Sequence, residues 1–130
     1  MTTEYKDDNV IFTDLKSALG VVEDDDAFDI DLRINIDTAL AILQQLGVND
    51  GFVQIADGTT WTEYYAQTAP NPNFGLVKSF MLLKIKLAFD PPTGSTMTYL
   101  QAYLKELEWR IKEAYTGNYT YPIEEGENDE

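Results

Sequence analysis

The densest set of groups able to hold a cation is Asp24, Asp25, Asp26, Asp29 and Asp31. A calcium loop of the helix–loop–helix type needs oxygen ligands at alternating positions, a glycine at its sharp turn and a distal bidentate glutamate. Here Ala27 and Phe28 interrupt the acids and no glycine occupies the turn. These carboxylates therefore read as the solvated start of a helix, where the macrodipole favours negative charge, and no metal site is expected. Lys78, Lys84 and Lys86 are the basic cluster in the middle of an acidic chain. They read either as a contact for acidic groups of a neighbouring subunit or as lysines whose stems lie along an apolar helix. Trp61, Tyr64 and Tyr65 could form a stacking platform for a sugar or a base, but core packing around a short helix is the better reading. Trp109 lies off the apolar stripe of its helix and suits a core or an interface role equally.

The missing residue types narrow the chemistry further. The chain has no cysteine and no histidine, which removes thiolate and imidazole ligands, cysteine nucleophiles and the commonest general base. Catalysis would rest on carboxylates, lysine or tyrosine, and the acids sit near the ends of elements rather than converging on a pocket. No phosphate-cradling glycine loop, nucleophile elbow or paired metal-ligand motif occurs. The expectation is a protein that is not an enzyme and takes no cofactor. With 23 acidic and 9 basic residues the formal net charge is -14, opposite to the basic footprint of nucleic-acid readers and of proteins drawn to anionic membranes. The segment Met1-Thr2-Thr3-Glu4-Tyr5 lacks a charged region leading into an apolar run, so no secretory signal is expected. The Asn118-Tyr119-Thr120 sequon then carries no weight. The most apolar stretch, 74–89, is broken by the three lysines and does not read as a membrane span.

At 130 residues and 44% hydrophobic, the chain suits one compact domain with a real core. The expected fold is mainly α: a small bundle of three main helices plus one or two short ones, with extended arms at both ends. A polar arm covers residues 1–12, a helical domain 13–117 and an acidic tail 118–130. Thr13 suits an N-cap for a short helix over 14–19, closed by Gly20. The first main helix is expected over 27–46. Ile36, Leu40, Leu43 and Leu46 recur at helical spacing and Gly47 stops it. Phe28, Ile30, Leu32, Ile34 and Ile36 alternate with polar residues as a strand would, yet the aspartates before them start a helix and no turn separates the halves. Such a helix, apolar on more than one face, could bury itself against both its own domain and a neighbour. Thr60-Trp61-Thr62-Glu63 is a capping box for a short helix over 61–66. A second main helix spans 74–89 and ends at Asp90-Pro91-Pro92. The third spans 97–116, with Leu100, Leu104, Leu107 and Ile111 as its stripe and Glu106–Arg110 and Glu108–Lys112 at i,i+4. The expected core is Ile36, Leu40, Leu43, Phe80, Ile85 and the four stripe residues of the third helix.

Several of these stretches resemble the head–tail connector family of tailed bacteriophages. One is Asp24-Asp25-Asp26-Ala27-Phe28-Asp29, followed by Leu40-Ala41-Ile42-Leu43-Gln44-Gln45-Leu46-Gly47-Val48. The Thr60-Trp61 segment after a glycine-containing loop is another. The closest likeness is Val77-Lys78-Ser79-Phe80-Met81-Leu82-Leu83-Lys84-Ile85-Lys86-Leu87-Ala88-Phe89-Asp90-Pro91-Pro92, with Glu106-Leu107-Glu108-Trp109-Arg110 after it. Together they cover most of 13–112. The arm before Thr13 and the tail after Gly117 do not align.

The resemblance implies a homo-oligomeric ring, usually twelvefold, bound to the portal protein above and a tail or stopper protein below. DNA would pass through the lumen without sequence-specific binding. The acidic balance suits a channel to which DNA does not stick. The protein would be made in the host cytoplasm and reside in the virion at the head–tail interface, with no membrane partner. Lys78, Lys84, Lys86 and Trp109 are then candidates for the contact between subunits. In the tail, Tyr119, Tyr121, Pro122 and Ile123 form an apolar-aromatic strip suited to docking on the portal, and the five acids beyond could steer it toward a basic surface. Two other classes stand beside this reading. One is an acidic binding module that mimics DNA and inhibits a DNA-binding protein, against which the basic, apolar 74–89 helix counts. The other is a carboxylate-dependent enzyme, which would need acids converging on a pocket.

Overall fold

The computed structural model describes residues 5–22, 24–53 and 55–116. Within them the fold is mainly helical: α1 (Ile11–Ala18), α2 (Asp29–Gln45), α3 (Trp61–Tyr65), α4 (Phe74–Phe89) and α5 (Gly94–Tyr115). No strand forms among the described residues; extended backbone is limited to an isolated antiparallel bridge between Val10 and Thr60. α4 is the central element, packed by α2, by α5 and, less extensively, by α1. Its buried side chains Phe74, Val77, Phe80, Met81 and Ile85 point to these neighbours.

Direction follows from contacts at the two ends. Phe28, which precedes α2, meets Phe89 at the end of α4, so α2 and α4 are antiparallel. Asn71, just before α4, donates its side-chain amide to the Ala114 carbonyl near the end of α5, at 2.9 Å, so α4 and α5 are antiparallel too. α2 and α5 thus run in the same direction, each packed on α4. Gly47, at φ 101°, ends the α2 segment in the left-handed conformation. A Cβ there would sit 3.5 Å from Tyr115, so the α2 and α5 ends also meet closely.

The alternating segment 28–36 is helical from Asp29 onward. Leu32 and Ile36 face the core, while Ile30 and Ile34 face outward. The capping box forms as the sequence expects: Glu63 N–H donates to Thr60 Oγ1 at 3.1 Å and Thr60 N–H to Glu63 Oε1 at 2.9 Å. Trp61 and Tyr64 are fully buried, as core packing requires.

Two readings need correction. α1 begins at Ile11, with Val10 as its N-cap, and Thr13 lies inside the helix. Ile11 and Phe12 are core residues, so the hydrophobic drive starts this helix three residues before the polar cap would. Residues 5–10, part of the arm expected over 1–12, pack against the helical domain. Trp61 N–H donates to the Asn9 carbonyl at 3.1 Å, Thr62 N–H to that of Asp7 at 3.0 Å, and Tyr5 packs its ring on Phe74. The N-terminal half of α5 is also less buried than its leucine stripe suggests. Leu107 and Ile111 are in the core, whereas Leu100 and Leu104 are half-buried, as is Leu40 of α2.

Candidate functional site

Two lysines organise the acids of the N-terminal half inside the subunit. Lys16 on α1 is 4% exposed, and its ammonium lies 2.8 Å from Asp29 Oδ1 and 2.9 Å from the Asp25 carbonyl. The acid-rich turn before α2 thus folds over a buried cation, and none of its side chains caps the helix, whose N-cap is Phe28. Among the described residues no group of three or more acids is disposed to hold a metal ion. Lys78 on α4 meets Asp7 Oδ2 at 2.6 Å and Asp14 Oδ2 at 3.4 Å, with its ammonium 5.1 Å from the centre of the Trp61 ring. Trp61 Nε1 donates to the same Asp14 oxygen at 2.8 Å. Burial pushes the Asp7 carboxyl up, but the hydrogen bonds from Lys78 and the Asn9 N–H, with the lysine charge, outweigh it and hold Asp7 below the usual range. Burial pushes Lys78 down, and the bond and charge of Asp7 with the charge of Asp14 reverse that and raise it.

These contacts show local reasons for two sequence features. Phe12 lies between Lys16 and Arg33, whose cations sit 5.2 and 5.4 Å from its ring centre, and Arg33 pairs with Asp57 across the loop after α2. The hydroxyls of Tyr64 and Tyr115 are buried without a hydrogen-bond partner among the described residues. Burial holds both phenols well above their ordinary pKa.

Apolar surface remains exposed on α2 and α5. On α2, Ile30 is 74% exposed and Ile34 57%. One helical turn apart, they form an outward stripe that Ala41 continues, with Asp31 and Asp37 beside it. The α2–α4 junction carries a shallow groove lined by Phe28, Asp31, Ile34, Asn35, Ala88 and Phe89. On α5, Tyr99 and Tyr103 stack with ring centres 6.4 Å apart, and both are exposed. Trp109 is 50% exposed. It shares its face with Lys105 and Lys112, at spacings i−4 and i+3, on the side of α5 away from Leu107 and Ile111.

The sequence-derived candidates therefore separate. Lys78 spends its charge inside the subunit. Lys84 and Lys86 are partly exposed on α4, and Lys86 makes only a 3.8 Å contact with Asp90. The Glu106–Arg110 pair forms at 2.8 Å, whereas Glu108 and Lys112 do not close to an ion pair. Tyr119, Tyr121, Pro122 and Ile123 lie outside the described residues. The Lys16 and Lys78 clusters and the Lys105–Trp109–Lys112 face are absent from the sequence reading. For the α5 face the signal was present, as cations four before and three after an exposed tryptophan.

Charge divides along the same lines as structure. Residues 1–73 carry 14 acidic and 3 basic side chains, whereas 74–116 carry 4 acidic and 6 basic. The outer face of α2 is acidic and aliphatic; α5 is aromatic and balanced in charge, with Lys105, Arg110 and Lys112 against Glu106, Glu108 and Glu113.

A small all-helical domain with apolar side chains exposed on two separate helices, and with Lys16 and Lys78 committed to its own packing, is built for assembly. The phage connector protein family matches residues 11–118, and the chain belongs to that family. No curated protein and no solved structure matches the chain. A connector is a structural component of a phage, which accords with the resemblance at Asp24–Val48 and Val77–Pro92. Among the described residues no helix is long and apolar enough to cross a membrane.

Proposed function

We propose that this chain is the repeating subunit of a ring at the head–tail interface. The ring docks on the portal above and on a tail or stopper protein below, and its lumen continues the DNA channel. The observation that carries the reading is the exposure of apolar side chains on both α2 and α5, each of which packs on α4. A single patch would suit a two-fold dimer. Two unlike patches on separate helices suit a heterologous, head-to-tail contact, which closes into a ring when the rotation per subunit allows. The acidic surplus supports a lumen that repels DNA phosphates. Lys84 and Lys86 are placed near the contact, where they face acids of the next subunit, with Trp109 in it. The charge of Lys78 is already taken up by Asp7 and Asp14.

The apolar-aromatic strip Tyr119, Tyr121, Pro122 and Ile123 is assigned to portal docking. Native mass measurement tests the proposal on the purified protein, alone and with its portal. A closed oligomer of many copies, twelve in the simplest case, is expected in at least one condition. A mass that stays monomeric in both refutes it.

A further inference from the structure

We infer that the contact between successive copies is made by the Lys105–Trp109–Lys112 face of α5 on one and the Ile30–Ile34 stripe of α2 on the next, flanked by Asp31 and Asp37. The inference rests on the ring reading and assigns its interface.

The occupant follows from complementarity. On the donor face a half-exposed indole has Lys105 and Lys112 along one flank and Glu106 and Glu113 along the other; Arg110 takes up Glu106, and neither lysine has an ion-pair partner among the described residues. On the acceptor face two isoleucines, exposed by more than half, stand beside two aspartates that likewise make no ion pair among the described residues. At about 1.5 Å rise per residue, seven residues separate Lys105 from Lys112 by roughly 10.5 Å, and six separate Asp31 from Asp37 by roughly 9 Å. The two pairs are therefore similarly spaced along their helix axes, with Trp109 and Ile34 at intermediate heights; around the axis the lysines share one flank, whereas Asp31 and Asp37 bracket the isoleucine stripe from either side. Aromatic anchors inside a charged rim are the usual composition of an interface centre, and the rim sets register. Both faces belong to the same chain, one on α2 and one on α5, so each copy offers what the next copy needs. The attraction also offsets part of the repulsion among subunits that each carry a formal charge of -14.

The test uses two full-length double variants, Lys105→Glu with Lys112→Glu, and Asp31→Lys with Asp37→Lys. Each alone places like charges in every contact and is expected to weaken assembly at low salt by at least about tenfold. Mixed in equal amounts they are complementary at both kinds of contact, so an alternating ring is expected, seen by sedimentation. All four substitutions in one chain should restore the oligomer as well. Circular dichroism checks that each variant keeps its helices, and Trp109→Ala should weaken assembly at any salt concentration. If the unaltered protein forms its ring and the charge reversals leave it unchanged, this interface is overturned while the ring stands. Loss in each variant without recovery on mixing overturns the pairing too. If the unaltered protein forms no ring, alone or on the portal, the ring reading and this interface both fall.

Discussion

Replacing Lys78 by methionine should unfold the subunit more readily without acting on assembly directly. The lysine ammonium lies 2.6 Å from Asp7 and 3.4 Å from Asp14, with side-chain exposures of 25%, 16% and 26% for the three residues. At an effective dielectric constant of about 20, each attraction is worth roughly 5–6 kcal/mol before the cost of desolvating the charges. Exposed pairs retain about 0.2–1 kcal/mol of such a sum, whereas breaking a buried pair costs about 3–5 kcal/mol. Three groups that are each about three-quarters buried fall between, at roughly 2–3 kcal/mol. For a domain of this size that lowers the melting temperature by about 8–12 °C.

The loss should be constant over a wide pH range. Asp7 is held below its ordinary 3.8, so its stabilisation is present above that pH and is lost as pH falls through its folded value. Lys78 is held above 10.5, so its share is present below that and is lost as pH rises through its folded value. Thermal melts of Lys78→Met, Asp7→Asn and the double variant at neutral pH give the coupling between the two residues. A loss under about 0.5 kcal/mol, or one that disappears in strong salt as an exposed pair's would, would show that the cluster does not anchor the N-terminal segment.

Four further outcomes are expected. Leu107→Ala should cost about 2–5 kcal/mol in chemical denaturation, because the side chain is 2% exposed, while Leu100→Ala, half-buried on the same stripe, should cost no more than about 1 kcal/mol. Thr60→Ala should cost about 1 kcal/mol by removing the acceptor of the Glu63 N–H, and Thr60→Ser should restore most of it. Lys16→Met should destabilise by about 1–3 kcal/mol through loss of its bonds to Asp29 and the Asp25 carbonyl, read from melts at neutral pH. Truncation after Thr116 should keep the circular dichroism of the helices and abolish binding to the portal; unchanged portal affinity would remove the docking role of Tyr119, Tyr121, Pro122 and Ile123.

The helices that carry their own signals were legible. The Thr60–Glu63 box, the glycines at 20 and 47 and the Asp90-Pro91-Pro92 stop mark local events, decided by a few adjacent residues. The 28–36 segment shows why helix could be preferred to strand there: its alternation places Leu32 and Ile36 inward and Ile30 and Ile34 outward on a helix as well. The packing of 5–10 was not legible, because Asp7 and Lys78 are 71 residues apart and each, alone, is an ordinary surface residue. A separation of 47 residues hid the Trp61–Asp14 bond in the same way. Leu100 misled for a related reason: periodicity shows which face of α5 is apolar, while burial depends on how far α4 extends alongside it, and α5 is the longer helix by six residues, 22 against 16. Of the lysines singled out, Lys78 is drawn into a tertiary cluster that spacing along one helix cannot reveal.

Cryo-electron microscopy of the neck of the assembled phage tests most directly whether this chain is a ring subunit between head and tail. The expected result is a closed ring below the portal, with α1 to α5 of this chain fitting each repeat and α5 of one copy against α2 of the next. A neck whose ring density between portal and tail does not fit this five-helix subunit would contradict it.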